Sequence, residues 1–156
     1  TIEHFFKLTK PKIIFADETK AAKIRSVSAE VGADVRIIAF NDAPDFETWN
    51  DIILSQTAEE VANFECERIK DFEQTAMILC TSGSTGYPKG VAKTYGYLAQ
   101  RLISVAANPA INYWSAGINW ISGAVITLMN ICECSTAIVH SNPDERIILG
   151  LIEKYK

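Results

Sequence analysis

The densest run of chemistry-capable residues in the 156-residue chain is Thr81-Ser-Gly-Ser-Thr-Gly-Tyr-Pro-Lys-Gly90. Gly83, Gly86 and Gly90 permit positive φ, so that backbone N–H groups can approach an anion with no Cβ in the way. Thr81, Ser82, Ser84 and Thr85 offer hydroxyl donors, Lys89 brings a positive charge, and Pro88 restricts the chain beside it. Together these groups suit a polyphosphate. Gly and Ser also favour a merely solvated loop, but the density of hydroxyls and the Pro-Lys-Gly ending argue for a ligand.

Three other signatures fail on this run. A Walker loop needs Gly-Lys-Ser/Thr, whereas Lys89 follows Pro88 and precedes Gly90. The spacing of Gly83 and Gly86 does not make Gly-x-Gly-x-x-Gly. A hydrolase elbow centred on Ser84 would need glycine where Ser82 stands.

The elements around the loop read as an α/β pattern. Lys12-Ile-Ile-Phe-Ala16 is a buried strand, Asp17 caps a helix with Ile24, Val27 and Val31 on one face, and Gly32 stops it. Val35–Phe40 is a second strand, which completes a βαβ unit with parallel pairing. Residues 41–74 are acidic and weakly periodic, a connecting region with a short helix near Phe46–Leu54. Thr75-Ala-Met-Ile-Leu-Cys80 is a third strand leading straight into the loop. A helix follows from Tyr95 to Ala107, stopped by Asn108-Pro109, and another lies within Trp120–Ile131. Ser135–His140 is a fourth strand. A last helix takes Ser141 or Asn142 as its cap and Pro143 as its first residue, with Ile147, Ile148, Leu151 and Ile152 on its apolar face.

Hydrophobic residues at 48% and charged residues at 22% allow a core and exclude wholesale disorder. A net charge of −4 gives no general attraction to nucleic acid. The apolar run Ile118–Ile131 is too short for the ~20 residues of a membrane span. Four cysteines, Cys66, Cys80, Cys132 and Cys134, form no disulfide framework. Cys132-Glu-Cys134 is half a metal site by spacing, but neither His4 nor His140 completes it, so no metal site is expected. The thiols read as reduced and buried, and the compartment as intracellular. A start on Thr1 and an end in a charged helix suggest a piece of something longer.

Thr81–Val91 closely resembles the phosphate-binding signature of the adenylate-forming (AMP-binding) family that includes acyl-CoA synthetases, 4-coumarate–CoA ligase and firefly luciferase. Pro11–Phe40, Thr75–Leu79 and Val139–Tyr155 look like that family's large N-terminal domain. Asn119-Trp120-Ile-Ser-Gly123 is similar to its acyl-pocket segment in an insect-type form. The resemblance implies that residues 1–156 are an incomplete N-terminal domain: a βαβ unit over 1–40, a connection over 41–74, and the loop strand with the pocket helices over 75–156. It implies an acid–thiol ligase. A carboxylate, fatty or aryl, attacks the α-phosphorus of Mg-ATP and expels pyrophosphate, and coenzyme A thiolate then displaces AMP. Thr81, Ser82, Gly83, Ser84, Thr85 and Gly86 would hold the β- and γ-phosphates, and Lys89 would stabilise charge on the departing pyrophosphate.

Trp120 has two open readings, a wall of the acyl pocket beside Asn119 or a core aromatic on an apolar helix. Cys80, Tyr95 and the Asn119-Trp120 pair depart from the family's commoner residues, which puts acyl specificity in question more than nucleotide binding. The family's Tyr-Gly-x-Thr-Glu segment with its Mg2+-holding Glu, its ribose-binding Asp and its C-terminal catalytic Lys do not occur in these residues. Alternatives are a luciferase-like oxidase using the same adenylation, or a truncated, non-catalytic nucleotide-binding paralogue. Members often reach the peroxisome by a C-terminal address, but Glu-Lys-Tyr-Lys156 is not one.

Overall fold

A computed structural model describes residues 2–81, 86–103, 109–141 and 143–155. Within it the chain forms two compact units, Thr1–Arg68 and Ile69–Lys156. The first opens on α1 (Ile2–Thr9), an element the sequence reading passed over, which buries Phe6 and packs on the next helix. β1 (Ile13–Ala16), α2 (Glu18–Glu30) and β2 (Arg36–Ala39) make the expected βαβ unit, with Ile14 opposite Ile37 and Phe15 opposite Ile38 in parallel register. The Asp17 carboxylate caps α2 by accepting the Thr19 N–H at 3.0 Å. Gly32, at φ 65°, turns the chain out of the helix, and the Ala33 N–H reaches the Ser28 carbonyl at 2.8 Å.

The core of this unit is Phe6, Ala16, Ala21, Ile38, Ala39 and Ala43. The face of α2 expected from Ile24, Val27 and Val31 is only half-buried, and Ala21 and Ser28 are the buried positions. Small side chains there let the helix backbone sit close to the sheet.

β3 (Glu47–Thr48) extends the sheet in parallel beyond β2, and α3 (Trp49–Ser55) follows. The short helix therefore starts later than the expected Phe46. The Arg25 guanidinium lies 4.3 Å over the Phe46 ring, and Glu47 and Thr48 belong to the sheet. Thr48 starts the helix through a capping box: its hydroxyl accepts the Asp51 N–H at 3.1 Å and the Asp51 carboxylate accepts the Thr48 N–H at 2.9 Å. Thr57 and Glu60 repeat the device at 3.1 and 2.8 Å to begin α4 (Ala58–Ala62), which was not expected.

In the second unit β4 (Thr75–Cys80) has its expected bounds. The next element was not expected: β5 (Gly90–Thr94) runs back antiparallel to it, Cys80 opposite Gly90 and Ile78 opposite Ala92. The loop is thus a hairpin connection, not a strand-to-helix turn. α5 (Tyr95–Ile103) starts at the expected residue, with the Thr94 hydroxyl accepting the Tyr97 N–H at 3.2 Å. Residues 104–108, the rest of that expected helix and its stop, lie outside the described residues.

β6 (Ile111–Tyr113), also unforeseen, pairs in parallel across α6 (Ile121–Cys132) with β7 (Thr136–Ile138). Asn112 of β6 donates to the Asn130 side-chain oxygen of α6 at 2.7 Å. The α6 helix closes with the Ser135 N–H on the Asn130 carbonyl at 2.9 Å and Cys134 at φ 55°. That closure takes Ser135 out of the expected strand. It also places Cys134 at the surface: Cys66, Cys132 and Cys134 are exposed and Cys80 half-buried, all free thiols rather than the buried ones expected. Finally α7 (Glu145–Tyr155) is capped by Asp144, whose carboxylate accepts the Ile147 N–H at 2.8 Å. A carboxylate one residue before the helix displaces the expected Ser141 cap, and Pro143 falls outside the helix; Asn142 is not among the described residues. On α7 Ile147, Ile148 and Leu151 are half-buried while Ile152 is exposed. No helix among the described residues is long and apolar enough to cross a membrane.

Gly123, buried in the first turn of α6, marks a close approach. A β-carbon there would stand 2.2 Å from the Gly117 carbonyl oxygen and 2.6 Å from that of Ala116. Because both clashes are with backbone, Gly123→Ala should destabilise the protein by about 1–3 kcal/mol. Urea unfolding of the variant beside the parent checks this, and an unchanged midpoint would show the approach to be soft.

The capping carboxylates carry a pH signature. Hydrogen bonds from the Thr48 hydroxyl and N–H hold the Asp51 carboxyl below its ordinary 3.8, and the Thr57 N–H and hydroxyl hold Glu60 below its ordinary 4.5. A lowered folded-state pKa adds stability above the unfolded value that is lost as pH falls through the folded one. Following the Thr48 and Thr57 amide resonances in an acid titration should therefore give midpoints below 3.8 and 4.5 respectively, not at them.

Candidate functional site

Antiparallel pairing sets the geometry of the loop. The ladder reaches Cys80–Gly90, and one step further the Thr81 N–H donates to the Lys89 carbonyl at 2.9 Å. The Lys89 N–H then donates to the Thr81 hydroxyl oxygen at 3.3 Å. The two ends of the signature, Thr81 and Lys89, are thus joined at the base of the hairpin. Gly86 has φ 143°, open to glycine and strained for other residues, and nothing lies within 4 Å of where its β-carbon would be. Gly90, expected to use positive φ as well, does not. Its place in the ladder opposite Cys80 requires extended backbone. Ser82, Gly83, Ser84 and Thr85 lie outside the described residues.

Charge around the hairpin is one-sided. From Gln74 through Cys132 the sequence contains no Asp or Glu, while Lys89, Lys93 and Arg101 fall within it. The Lys89 side chain is exposed, and no carboxylate among the described residues pairs with it. Lys93, on β5, sits 4.3 Å over the Tyr97 ring, with the Arg101 guanidinium 5.6 Å from the same ring. Sequence reasoning missed this acid-free stretch and the role of Lys93 in it. A tally of charge by segment, instead of over the whole chain, would have found both.

The second expected cluster, Asn119 and Trp120, lies in the turn before α6. The Trp120 N–H donates to the Gly117 carbonyl at 3.0 Å, and the residue is the N-cap of α6 without a side-chain cap bond. The residue is 47% exposed and precedes the helix, so the reading of a core aromatic on the helix does not hold. The Asn119 side chain folds over Gly117, where a β-carbon would meet its oxygen at 2.5 Å. Trp114, not singled out from sequence, holds this turn. Its indole N–H donates to the Ala116 carbonyl at 2.6 Å, and its backbone N–H donates to Ile138 at 2.9 Å. A cavity of about 460 Å³ runs beside the turn, lined by Trp114, Ala116, Gly117, Ile118, Val139 and His140 among others, but not by Asn119 or Trp120. No hydrogen bond links Asn119 or Trp120 to Thr81, Gly86 or Lys89 among the described residues. No group of three or more metal-ligating side chains that could hold an ion occurs among them either.

An open glycine, a lysine that pairs with no carboxylate among the described residues and strands free of Asp and Glu fit a polyanion at the hairpin mouth. The chain resembles several known proteins. The chain is 28% identical to an acetyl-coenzyme A synthetase of Campylobacter jejuni, over 100% of its own length and 25% of that enzyme's. The luciferase-like enzyme of the nonluminescent mealworm Zophobas morio superposes on it with a TM-score of 0.81 at 25% identity, covering 99% of this chain and 36% of that one. ATP-bound MatB from Rhodopseudomonas palustris shares the fold, with a TM-score of 0.76 at 22% identity, over 99% of this chain and 31% of that one. The chain thus spans a quarter to about a third of the length of these relatives. A family model for AMP-binding enzymes matches residues 1–156 throughout, and the chain belongs to that family.

Proposed function

We propose that this chain supplies the polyphosphate grip of an acid–thiol ligase that activates a carboxylate with ATP and passes the acyl group to coenzyme A. The observation that carries the reading is Lys89, exposed at the mouth of an acid-free hairpin and paired with no carboxylate among the described residues. In the first half-reaction a carboxylate oxygen bonds to the α-phosphorus of ATP as the bond to pyrophosphate breaks. Loop hydroxyls and N–H groups from Thr81 to Gly86 hold the β- and γ-phosphates, and Lys89 meets the charge that grows on the leaving group. Mg2+ would offset the rest of that charge, held mainly by residues beyond these. In the second half-reaction the thiolate sulfur of coenzyme A bonds to the acyl carbon and AMP departs. Asn119 and Trp120 border the acyl site, whose substrate we read as a fatty or aryl carboxylate. The four free cysteines support an intracellular setting.

If Lys89 acts this way, Lys89→Ala should lower ATP–pyrophosphate exchange in the intact protein by roughly ten- to a hundredfold, the scale of ~1.4–2.7 kcal/mol in a transition state. An exchange rate equal to that of the parent removes Lys89 from the reaction.

A second reading has its own support. An identity of 27% over 97 residues to a luciferin 4-monooxygenase of Nipponoluciola cruciata favours an oxidase that shares the adenylation step. Supplying firefly luciferin with ATP and recording light separates the two. Emission favours the oxidase, and thioester formation in the dark favours the ligase.

A further inference from the structure

We propose that Thr81 is the positioning residue for Lys89, acting on nucleotide through that lysine in place of the direct phosphate contact given to Thr81 above; this rests on the role given to Lys89 above. In the hydrogen-bonded pairs of an antiparallel ladder, which alternate with non-bonded ones, each residue gives its N–H to the other's carbonyl. Here the Thr81 N–H does so, at 2.9 Å, but the returning Lys89 N–H goes to the Thr81 side-chain oxygen at 3.3 Å. Both backbone groups of Lys89 are therefore held by one residue, and the side chain carries the ladder one bond past the point where the main chains part. The hydroxyl proton also faces the Lys89 carbonyl, at 3.5 Å. With Pro88 fixing φ on the preceding residue, the root of the Lys89 side chain is anchored on both sides while its tip stays exposed. Serine can supply the same acceptor; valine, of similar shape, cannot.

The test combines backbone protection with a double-mutant cycle in the intact protein. In the absence of nucleotide, Thr81→Val should speed amide hydrogen exchange at Lys89 by about tenfold, the effect of losing one hydrogen bond, and Thr81→Ser should retain the parent's protection. For ATP–pyrophosphate exchange, Thr81→Val should slow the parent but add nothing in a Lys89→Ala background. Unchanged exchange at Lys89, or losses that add across the two sites, would overturn the proposal. If Lys89→Ala alone leaves ATP–pyrophosphate exchange intact, the role given to Lys89 fails instead, and amide exchange still decides whether Thr81 anchors Lys89.

Discussion

The antiparallel ladder between β4 and β5 is the constraint from which the rest of the candidate site follows. It ends at Cys80 and Gly90, and residues 81–89 must turn within the gap it leaves. A strand leading into a helix would have pointed the loop along the helix axis and offered its N-terminal dipole to an anion. A hairpin gives no such dipole. In the reading proposed above, attraction would come from individual groups such as Lys89, which the ladder and Thr81 hold in place. Beyond β5 the chain stays tied to this frame, since the Tyr95 and Gly96 N–H groups donate to the Gln74 and Phe72 carbonyls at 3.1 and 2.8 Å.

Carboxylates are distributed to suit that arrangement. Those at Asp17, Asp51 and Glu60 bind backbone N–H groups at helix starts, and Glu47 pairs with Arg36. Their charge is spent on local structure, in the unit that does not contain the hairpin. The hairpin and the two helices that follow it carry none. An anionic ligand at Lys89 would therefore meet no like charge from its own strands, and its attraction would be screened by salt.

Local chemistry made much of this legible in the sequence. Asp17 and Gly32 bracket α2 because a capping carboxylate and a left-handed glycine act within a turn of their own positions. The β4 strand was plain from its unbroken apolar run. The signature itself led to the family. What stayed hidden depends on partners distant in sequence or on competition between near neighbours. Gly90–Thr94 is too small and polar to read as a strand, and becomes one only because β4 is there to pair with it. Asp144 displaced Ser141 as a cap because both are good candidates and only packing chooses between them. Trp114 gave no signal at all, since its work is a bond to a carbonyl two residues on that shapes the bed for Gly123. The run Thr81–Gly90 could be singled out from sequence as a candidate phosphate loop, but the manner in which Thr81 and Lys89 are joined could not.

The hairpin has a kinetic consequence. Its two strands are near neighbours along the chain, so closing it costs little loop entropy and takes microseconds. Pairing β6 with β7 must wait for α6 to form and fold over, a contact of larger sequence separation and slower approach. The frame of the grip is therefore an early structure in this unit, assembled from contacts available while the chain beyond Thr94 is still being made.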